Sequence, residues 1–284
     1  CEVTQCHLFN RIIKRLTMKL FIQIISFGIV FYTLILVALY FFQGKMLFFP
    51  STSQFGDCPE MERRNARAQT IRGIRYYLET KPDPDSWIVI FHGNAGNACD
   101  RVYFLDLLKE FNSNLIVFEY PGYGKDLNVP GESIFLQQAL DLILHIKKKD
   151  RQKLPVYLMG ESLGTGVATF IAAQTDINGL ILISAYPSLA KVAQYHYPLF
   201  PVKFLMKHKF PAHTWAGQTT TPVILFHGIN DDIIPVHFAR QQYLNFKGGK
   251  ELVEIPDCGH NDIIDTGKKI LPQKIRDFLS NTRP

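Results

Sequence analysis

The pentapeptide Gly-Glu-Ser-Leu-Gly at residues 160–164 constrains the fold of this chain more than any other stretch. An apolar run, residues 154–159, precedes it, and a run of small residues, 165–173, follows it. The first pattern is typical of a buried strand and the second of a helix, so Ser162 lies at a sharp strand-to-helix turn. Glycines two residues to either side let the two backbones pass closely, and such a turn lifts the serine hydroxyl above the sheet. The pattern predicts a nucleophilic serine, provided that other loops supply its partners.

Beyond residue 86, apolar runs of strand length alternate with helical patterns. The predicted strands cover residues 87–91, 115–118, 155–159, 179–184, 222–226 and 251–255. The predicted helices cover residues 100–111, 133–149, 165–174, 237–246 and 267–279. Unbroken Val/Ile/Leu runs are typical of strands buried on both faces, and their alternation with helices indicates crossovers into a parallel sheet. We therefore predict an α/β fold with a mostly parallel central sheet flanked by helices.

Three other segments of the domain have weaker patterns. Residues 73–79 are apolar at every second position, which predicts a strand at the edge of the sheet. Residues 51–70 are polar and are predicted to be loop. The insertion at about residues 186–216, between two predicted strands, is expected to form a short cap.

Residues 20–42 contain no charged side chain, in a chain that is 47% hydrophobic and 20% charged. At about 1.5 Å per residue, a helix of this length crosses a bilayer. A buried core helix is the alternative, but core helices rarely run so long without a polar face. A cleaved signal peptide is disfavoured because no small-residue cleavage site follows the run. Met18-Lys19 has the pattern of a natural start, which would make residues 1–17 upstream sequence.

Basic residues are unequally placed around this apolar segment. Arg11, Lys14, Arg15 and Lys19 precede it, whereas Lys45 stands alone just after it. The positive-inside rule then predicts a cytoplasmic N-terminus and a domain on the far side, periplasmic, lumenal or extracellular. The predicted organisation is a basic segment at 1–19, a transmembrane anchor at 20–42 and a domain at 43–284.

The formal net charge of +6 and the sequence pI of about 9.0 do not indicate nucleic-acid binding. No helix-length basic stripe is present in the domain, and the scattered lysines favour anionic lipid surfaces instead. The cysteines are Cys1, Cys6, Cys58, Cys99 and Cys258. They have no Cys-x-x-Cys spacing, so no metal site is expected. One disulfide is possible among the three in the domain, with its pairing left open.

The loop after the predicted strand 87–91, residues 92–97, reads His-Gly-Asn-Ala-Gly-Asn. A loop rich in glycine and small residues can turn backbone N–H groups toward one point, as an oxyanion hole requires. We expect Asn94 and Ala95 to contribute from this loop, and the N–H group of Leu163 to be the second donor. A glycine-rich turn without such a role is the alternative.

The loop after the predicted strand 222–226 contains two adjacent aspartates. A carboxylate at this position would orient a catalytic imidazole and stabilise its protonated form. Asp231 is the first choice for this role, and Asp232 remains the rival. His227, at the end of the strand, is expected to be a structural histidine bonded within the turn.

The loop after the last predicted strand contains Gly259 followed by His260. An imidazole in this position can reach Ser162 as general base and then general acid. Asp262 is expected to cap the next helix. Surface or packing roles are expected for four other histidines: His145, His196, His208 and His213.

The cap is rich in apolar and aromatic residues. One interpretation is an acyl-binding wall for a substrate delivered from the bilayer, with Tyr195, Phe200, Phe204 and Trp215 binding the substrate. The other is that these side chains pack the cap onto the domain. The sequence favours neither.

The chain order Ser162, Asp231, His260 is that of the α/β-hydrolases. From residue 43 onward the chain resembles the small, membrane-anchored branch of this family, with its serine-aminopeptidase-like, lysophospholipid-cleaving, protein-depalmitoylating and bacterial members. The matching stretches are residues 43–50, 92–97, 119–124 with 130–132, 160–164, 195–198, 227–235 and 259–262. Glu119 and Pro121 depart from the family, which more often has aspartate and arginine there.

The resemblance implies a serine hydrolase that cleaves carboxylic esters or thioesters of acyl or lipid substrates. No metal or organic cofactor is needed for this chemistry. An aminopeptidase-like amide hydrolase is the alternative on the same fold, although no acidic cluster that would capture a free amine is evident. A membrane-tethered binding module with a silent triad is the alternative from another class.

Overall fold

The computed structural model describes residues 2–283, with side chains described for residue 11 and residues 13–283. Cys1 and the side chain of Cys6, both named above, lie outside the described residues. The chain divides into two compact units, Cys1–Gln43 and Gly44–Pro284.

The N-terminal unit is helical. Helix α1 (Glu2–Leu47) contains the predicted anchor and extends beyond it at both ends. Within α1, Ile13–Leu47 is long and apolar enough to cross a membrane, judged by length and composition. Its large apolar side chains are exposed, as at Phe27 and Phe41. A core helix would bury such side chains, so α1 is a candidate membrane span rather than a core element.

The second unit contains the strands and the remaining helices. The strands are β1 (Phe49–Pro50), β2 (Arg67–Ile71), β3 (Ile74–Glu79), β4 (Ser86–Phe91), β5 (Ala95–Gly96), β6 (Ser113–Glu119), β7 (Val156–Glu161), β8 (Gly179–Ile183), β9 (Val223–Gly228) and β10 (Lys250–Ile255). The helices are α2 (Pro59–Arg63), α3 (Val102–Leu108), α4 (Glu132–Lys149), α5 (Leu163–Gln174), α6 (Leu189–His196), α7 (Val202–Leu205), α8 (Ala212–Ala216), α9 (Val236–Asn245), α10 (Ile263–Thr266) and α11 (Leu271–Thr282). A 3₁₀ turn, Cys99–Arg101, precedes α3.

Eight strands form one sheet in the order β10-β9-β8-β7-β4-β6-β3-β2. The pairs β2–β3 and β3–β6 are antiparallel, and every other pair of neighbours is parallel. The short strands β1 and β5 form a separate parallel pair. The predicted mostly parallel α/β architecture is confirmed.

Two predictions for the start of the domain are wrong. Residues 51–70 are not all loop, because they contain α2 and most of β2. The strand predicted at the edge of the sheet, β3, lies between β2 and β6, and β2 is the edge strand. The side chains of β2 are largely exposed, so it has no apolar alternation to reveal it. It forms by pairing with β3 across Arg72 and Gly73, which both have positive φ (50° and 82°), as a tight hairpin turn requires.

The sheet has a hydrophobic core on each face. Alternate residues of β4 separate to the two sides: Val89 and Phe91 pack in the cluster that includes α4 and α5, whereas Ile88 and Ile90 pack in the cluster that includes α3 and α11. All four are fully buried. Burying a side chain of this size stabilises the fold by about 1.5–3 kcal/mol. The helices that pack on both faces therefore keep the strands, and with them the loops at their carboxyl ends, in fixed positions.

A disulfide joins Cys58, directly before α2, to Cys99, at the start of the 3₁₀ turn. This answers the pairing question that the sequence left open. Cys258 is a buried free cysteine. Among the described residues, the disulfide thus connects the N-terminal part of the domain to the loop that follows β4.

Candidate active site

Ser162 lies between β7 and α5 with φ 49° and ψ −115°, a backbone conformation that residues with side chains rarely adopt. Its N–H group donates to the carbonyl of Ile183 (2.8 Å). The two flanking glycines are required by close backbone contacts. A Cβ on Gly160 would lie 2.5 Å from the carbonyl oxygen of Gly164, and one on Gly164 would lie 2.0 Å from that of Phe91. The turn therefore has the geometry that the pentapeptide predicts.

The loops after β9 and β10 bring an imidazole and a carboxylate to this serine. His260 Nε2 lies 3.1 Å from Ser162 Oγ, and His260 Nδ1 lies 2.7 Å from Asp231 Oδ2. An ionised carboxylate only accepts, so Nδ1 carries the proton and Nε2 presents its lone pair to the serine hydroxyl. Asp231 is buried, while Ser162 and His260 are half-buried. The three residues chosen from the sequence therefore form one hydrogen-bonded chain.

The surroundings of Asp231 distinguish it from Asp232. Asp231 Oδ1 accepts from the backbone N–H groups of Ile233 (3.0 Å) and Ile234 (2.7 Å). Burial disfavours the ionised carboxylate, but hydrogen bonds from His227 and His260 outweigh it, so the pKa of Asp231 lies below its usual value. Asp232 is exposed to solvent. The geometry therefore favours the first choice over its rival.

His227 has the structural place expected of it. It is fully buried, and its Nε2 donates to the carbonyl of Ile234 (2.7 Å), within the turn that contains Asp231. The same nitrogen lies 3.3 Å from Asp231 Oδ2. Asp262 stands at the N-cap position of α10, but it accepts from no N–H group of the helix backbone: its carboxylate accepts from the N–H group of Gly259 (2.8 Å) and from the hydroxyl of Thr266 (3.2 Å). Asp262 thus fixes the turn directly before His260.

Of the residues expected to bind an oxyanion, Leu163 directly follows Ser162, and the loop that contains Asn94 and Ala95 begins beside it. Leu163 begins α5, so its N–H group has no acceptor within the helix. A Cβ on Gly93 would lie 3.7 Å from that of Ser162, which places the start of the loop next to the serine. Asn94 is half-buried: its carbonyl accepts from the Tyr123 hydroxyl (2.6 Å), and its side-chain amide donates to the carbonyl of Leu47 (2.9 Å).

A half-buried ion pair, which no sequence pattern indicates, holds this loop. Arg101 Nε lies 2.8 Å from Glu161 Oε2, and that oxygen also accepts from the N–H group of Gly93 (3.1 Å). Arg101 Nη2 donates to the carbonyl of Ala95 (2.6 Å), and the Tyr103 hydroxyl donates to Glu161 Oε1 (2.6 Å). Burial first, and the neighbouring carboxylate second, raise the pKa of Tyr103, so its proton stays in place. Glu161, the residue before the serine, is thereby tied to both ends of the loop.

The four aromatic residues predicted to bind substrate are differently placed. The Trp215 ring packs at 5.2 Å on Phe170 of α5, and the Tyr195 ring packs at 5.8 Å on Phe238 of α9. These contacts favour the packing interpretation for Trp215 and Tyr195. Phe200 is half-buried, and Phe204 is exposed. The substrate-binding role of the four residues stays a prediction.

The cap histidines make structural contacts at three points. His196 Nε2 donates to the carbonyl of Ile233 (2.8 Å), which joins the cap to the loop of Asp231. His208 Nδ1 accepts from the N–H group of Glu132 (3.2 Å), and His213 Nδ1 donates to the carbonyl of Pro187 (2.7 Å). The cap is therefore held at both sides of the carboxyl edge of the sheet.

Comparison with known proteins identifies the class. A family model described as serine aminopeptidase, S33, matches residues 82–214. A putative α/β hydrolase of Acanthamoeba polyphaga mimivirus is 32% identical over 229 residues, which cover 76% of this chain and 81% of that protein. The chain belongs to the α/β-hydrolase family.

Two further similarities are informative. The lysophosphatidylserine lipase ABHD12 of Xenopus tropicalis is 27% identical over 244 residues, which cover 74% of this chain and 62% of that lipase. The structure of an esterase from Pyrococcus furiosus superposes with a TM-score of 0.66 at 14% identity, covering 84% of this chain and 99% of the esterase. The second likeness supports the fold. Together, the comparisons identify a hydrolase with lipase and esterase relatives.

Proposed function

We propose that this protein is a serine hydrolase that cleaves esters or thioesters of acyl chains through an acyl-enzyme. The observation that carries the proposal is the hydrogen-bonded chain from Asp231 through His260 to Ser162, with distances of 2.7 and 3.1 Å. The direction of these hydrogen bonds matches the requirements of nucleophilic catalysis. The serine hydroxyl faces the unprotonated nitrogen of the imidazole, and the carboxylate holds the protonated one.

The proposed mechanism follows from these contacts. Ser162 Oγ attacks the substrate carbonyl carbon while its proton passes to His260 Nε2, and Asp231 stabilises the imidazolium that results. The N–H groups of Leu163 and of the loop at Asn94 and Ala95 stabilise the negative oxygen of the tetrahedral intermediate. The imidazolium then donates its proton to the leaving alcohol or thiol. Water, deprotonated by the same imidazole, hydrolyses the acyl-enzyme and restores the serine.

The lipid character of the substrate rests on two supports. Relatives named as lipases align with most of this chain, and α1 is a candidate membrane span. The family model is described as a serine aminopeptidase, so amide hydrolysis is the second candidate. A series of p-nitrophenyl esters separates the two. Turnover that rises with acyl length supports acyl esters, whereas weak turnover that does not depend on length supports the peptidase.

The nucleophile is tested by labelling with a fluorophosphonate probe. The substitution Ser162→Ala should abolish labelling, because the probe bonds covalently to an activated serine. The matched control is Ser133→Ala, which removes an exposed hydroxyl at the start of α4 and should leave labelling unchanged. Undiminished labelling of Ser162→Ala, in a protein with an unaltered circular dichroism spectrum, would refute the assignment.

We also propose that α1 anchors the chain with its N-terminus in the cytoplasm and the hydrolase domain on the far side. Besides the basic residues before the span, the disulfide Cys58–Cys99 supports this orientation, since disulfides persist mainly in oxidising compartments. The proposed boundaries are residues 1–19, 20–42 and 43–284, with the cap at about 186–216. Sealed vesicles whose cytoplasmic face is outward test it with a membrane-impermeant protease. A C-terminal tag should be cleaved only after permeabilisation, and cleavage without permeabilisation would contradict this orientation.

A further inference from the structure

Large apolar side chains that are more than half exposed are concentrated in two segments of the domain. Of seven such side chains in residues 48–283, six lie in the cap or in the loop between β6 and α4. We call these six the apolar rim: Leu127, Val129, Tyr195, Tyr197, Leu199 and Phe204. Leu127 is 99% exposed and Phe204 is 88% exposed, so neither side chain stabilises the fold by burial. A grouping of this kind marks an interaction surface.

Contacts within the domain bring the parts of the rim together. His208, from the end of the cap, accepts the hydrogen bond from Glu132 at the end of the β6–α4 loop. The ring of Phe48 packs against both His208 (5.1 Å) and Phe135 (5.2 Å). Phe48 directly follows the last residue of α1. The first residue after the candidate membrane span therefore packs against the end of the cap and against the first turn of α4, which directly follows the β6–α4 loop.

The charges around the rim are of one sign over a long stretch. Residues 177–230 contain no aspartate or glutamate. They contain four lysines, all exposed: Lys191, Lys203, Lys207 and Lys209. The acidic groups nearest to the rim in the chain are already engaged or shielded: Asp126 lies 3.6 Å from Arg75, and burial raises the pKa of Glu132. Exposed lysines beside exposed apolar side chains match the headgroup region of a phospholipid bilayer, where phosphates lie above acyl chains.

We propose that the apolar rim docks into the headgroup region of the bilayer that α1 crosses. Leu127, Leu199 and Phe204 enter the boundary between headgroups and acyl chains, and the cap lysines contact lipid phosphates. The cap is joined to the loop of Asp231 through His196 and Ile233, so docking places the edge of the sheet that carries Ser162 at the membrane surface. The inference rests on the proposed membrane span of α1, and it does not depend on the proposed hydrolase activity.

The test is fluorescence quenching in the full chain, reconstituted into nanodiscs of phosphatidylcholine with added phosphatidylserine. Phe204→Trp places a fluorophore on the rim, and Leu244→Trp places one on α9 at the one large apolar side chain that is more than half exposed outside the rim. When phosphatidylcholine brominated on its acyl chains replaces the normal lipid, the fluorescence added by Phe204→Trp should fall by about half, since interfacial segments lie about 5–10 Å deep. The fluorescence added by Leu244→Trp should not change.

Equal quenching of the two variants, or no quenching of either, would overturn the proposal. No quenching of Phe204→Trp would leave a protein partner as the occupant of this surface. The lysines are tested by adding Lys203→Glu and Lys207→Glu to the Phe204→Trp variant. Reduced quenching supports their contact with phosphates, and unchanged quenching refutes that part of the proposal. None of these readouts uses catalysis, so failure of the proposed function and failure of this inference are distinguished.

Discussion

Substitution of Arg101 tests whether its ion pair with Glu161 positions the loop at Asn94 and Ala95, which we propose stabilises the oxyanion. The Arg101 side chain is only 13% exposed and bonds both the Glu161 carboxylate and the carbonyl of Ala95. Arg101→Met keeps the aliphatic stem but removes every donor. Glu161 then retains the N–H group of Gly93 and the hydroxyl of Tyr103 as partners, while the carbonyl of Ala95 loses the guanidinium.

The expected magnitude follows from the burial of the pair. Removing one partner of a fully buried ion pair costs about 3–5 kcal/mol. The Glu161 side chain is 20% exposed and keeps two donors, so the free energy of unfolding should fall by less, roughly 1–3 kcal/mol. If the loop at Asn94 and Ala95 no longer points at the oxyanion, kcat should fall by about 10²-fold, the loss measured when one oxyanion donor is removed. KM should change little, because this contact is made in the transition state.

The assay is hydrolysis of a soluble p-nitrophenyl ester, with denaturant unfolding measured in parallel. Arg64→Met is the matched control, since it breaks an ion pair with Asp106 (2.7 Å) on the neighbouring surface without touching the loop. It should cost less than about 1 kcal/mol and leave kcat unchanged. Arg101→Lys, which keeps the charge without the planar fork, should fall between the native protein and Arg101→Met. A normal kcat in Arg101→Met, together with reduced stability, would refute the positioning role and leave a purely structural one.

Three further predictions concern the triad, a buried acid and the strained turn. Asp231→Asn should lower kcat by about 10⁴-fold through the wrong imidazole tautomer, whereas Asp232→Asn should leave it nearly unchanged; similar losses in both would refute the assignment of the acid. Burial raises the pKa of Glu119 to about 8, above its unfolded value, so the folded protein holds this proton longer and loses stability as pH rises from about 4.5 to 8. Glu119→Gln should therefore gain in free energy of unfolding relative to the native chain, by up to about 1.4 kcal/mol per pH unit in this window, and a constant difference would contradict the raised pKa. Ser162→Gly should abolish ester hydrolysis yet raise the free energy of unfolding by about 1 kcal/mol, because glycine adopts φ 49° without strain. Thermal unfolding measures this gain, which Ser162→Ala should not show.

Local features of the chain were sufficient to predict much of the site. A serine between a buried strand and a helix, followed by an acid and a histidine after later strands, indicates the order of the elements as well as the residues. The structure brings Ser162, Asp231 and His260 within hydrogen-bond distance, as this order predicts. The choice between Asp231 and Asp232 could be made only weakly, because adjacent aspartates have the same sequence pattern and differ in burial.

The edge of the sheet shows why other features were missed. Strand β2 is mostly exposed, so its residues need no apolar alternation, and only pairing with β3 makes them a strand. Likewise, nothing in the sequence joins Glu161 to Arg101, since the two residues are 60 positions apart and their contact depends on how β4 and β7 lie side by side.

The sequence by itself determined the strand-to-helix turn at Ser162, the alternation of strands and helices, and the apolar segment before the domain. These are properties of short stretches, in which periodicity and glycine position act through local backbone geometry. Only the tertiary structure decided which cysteines pair, which aspartate faces His260, which residues hold the loop at Asn94, and which segments pack against Phe48. Those outcomes depend on burial and on contacts between distant segments, which arise when parallel strands place the loops at their carboxyl ends along one edge.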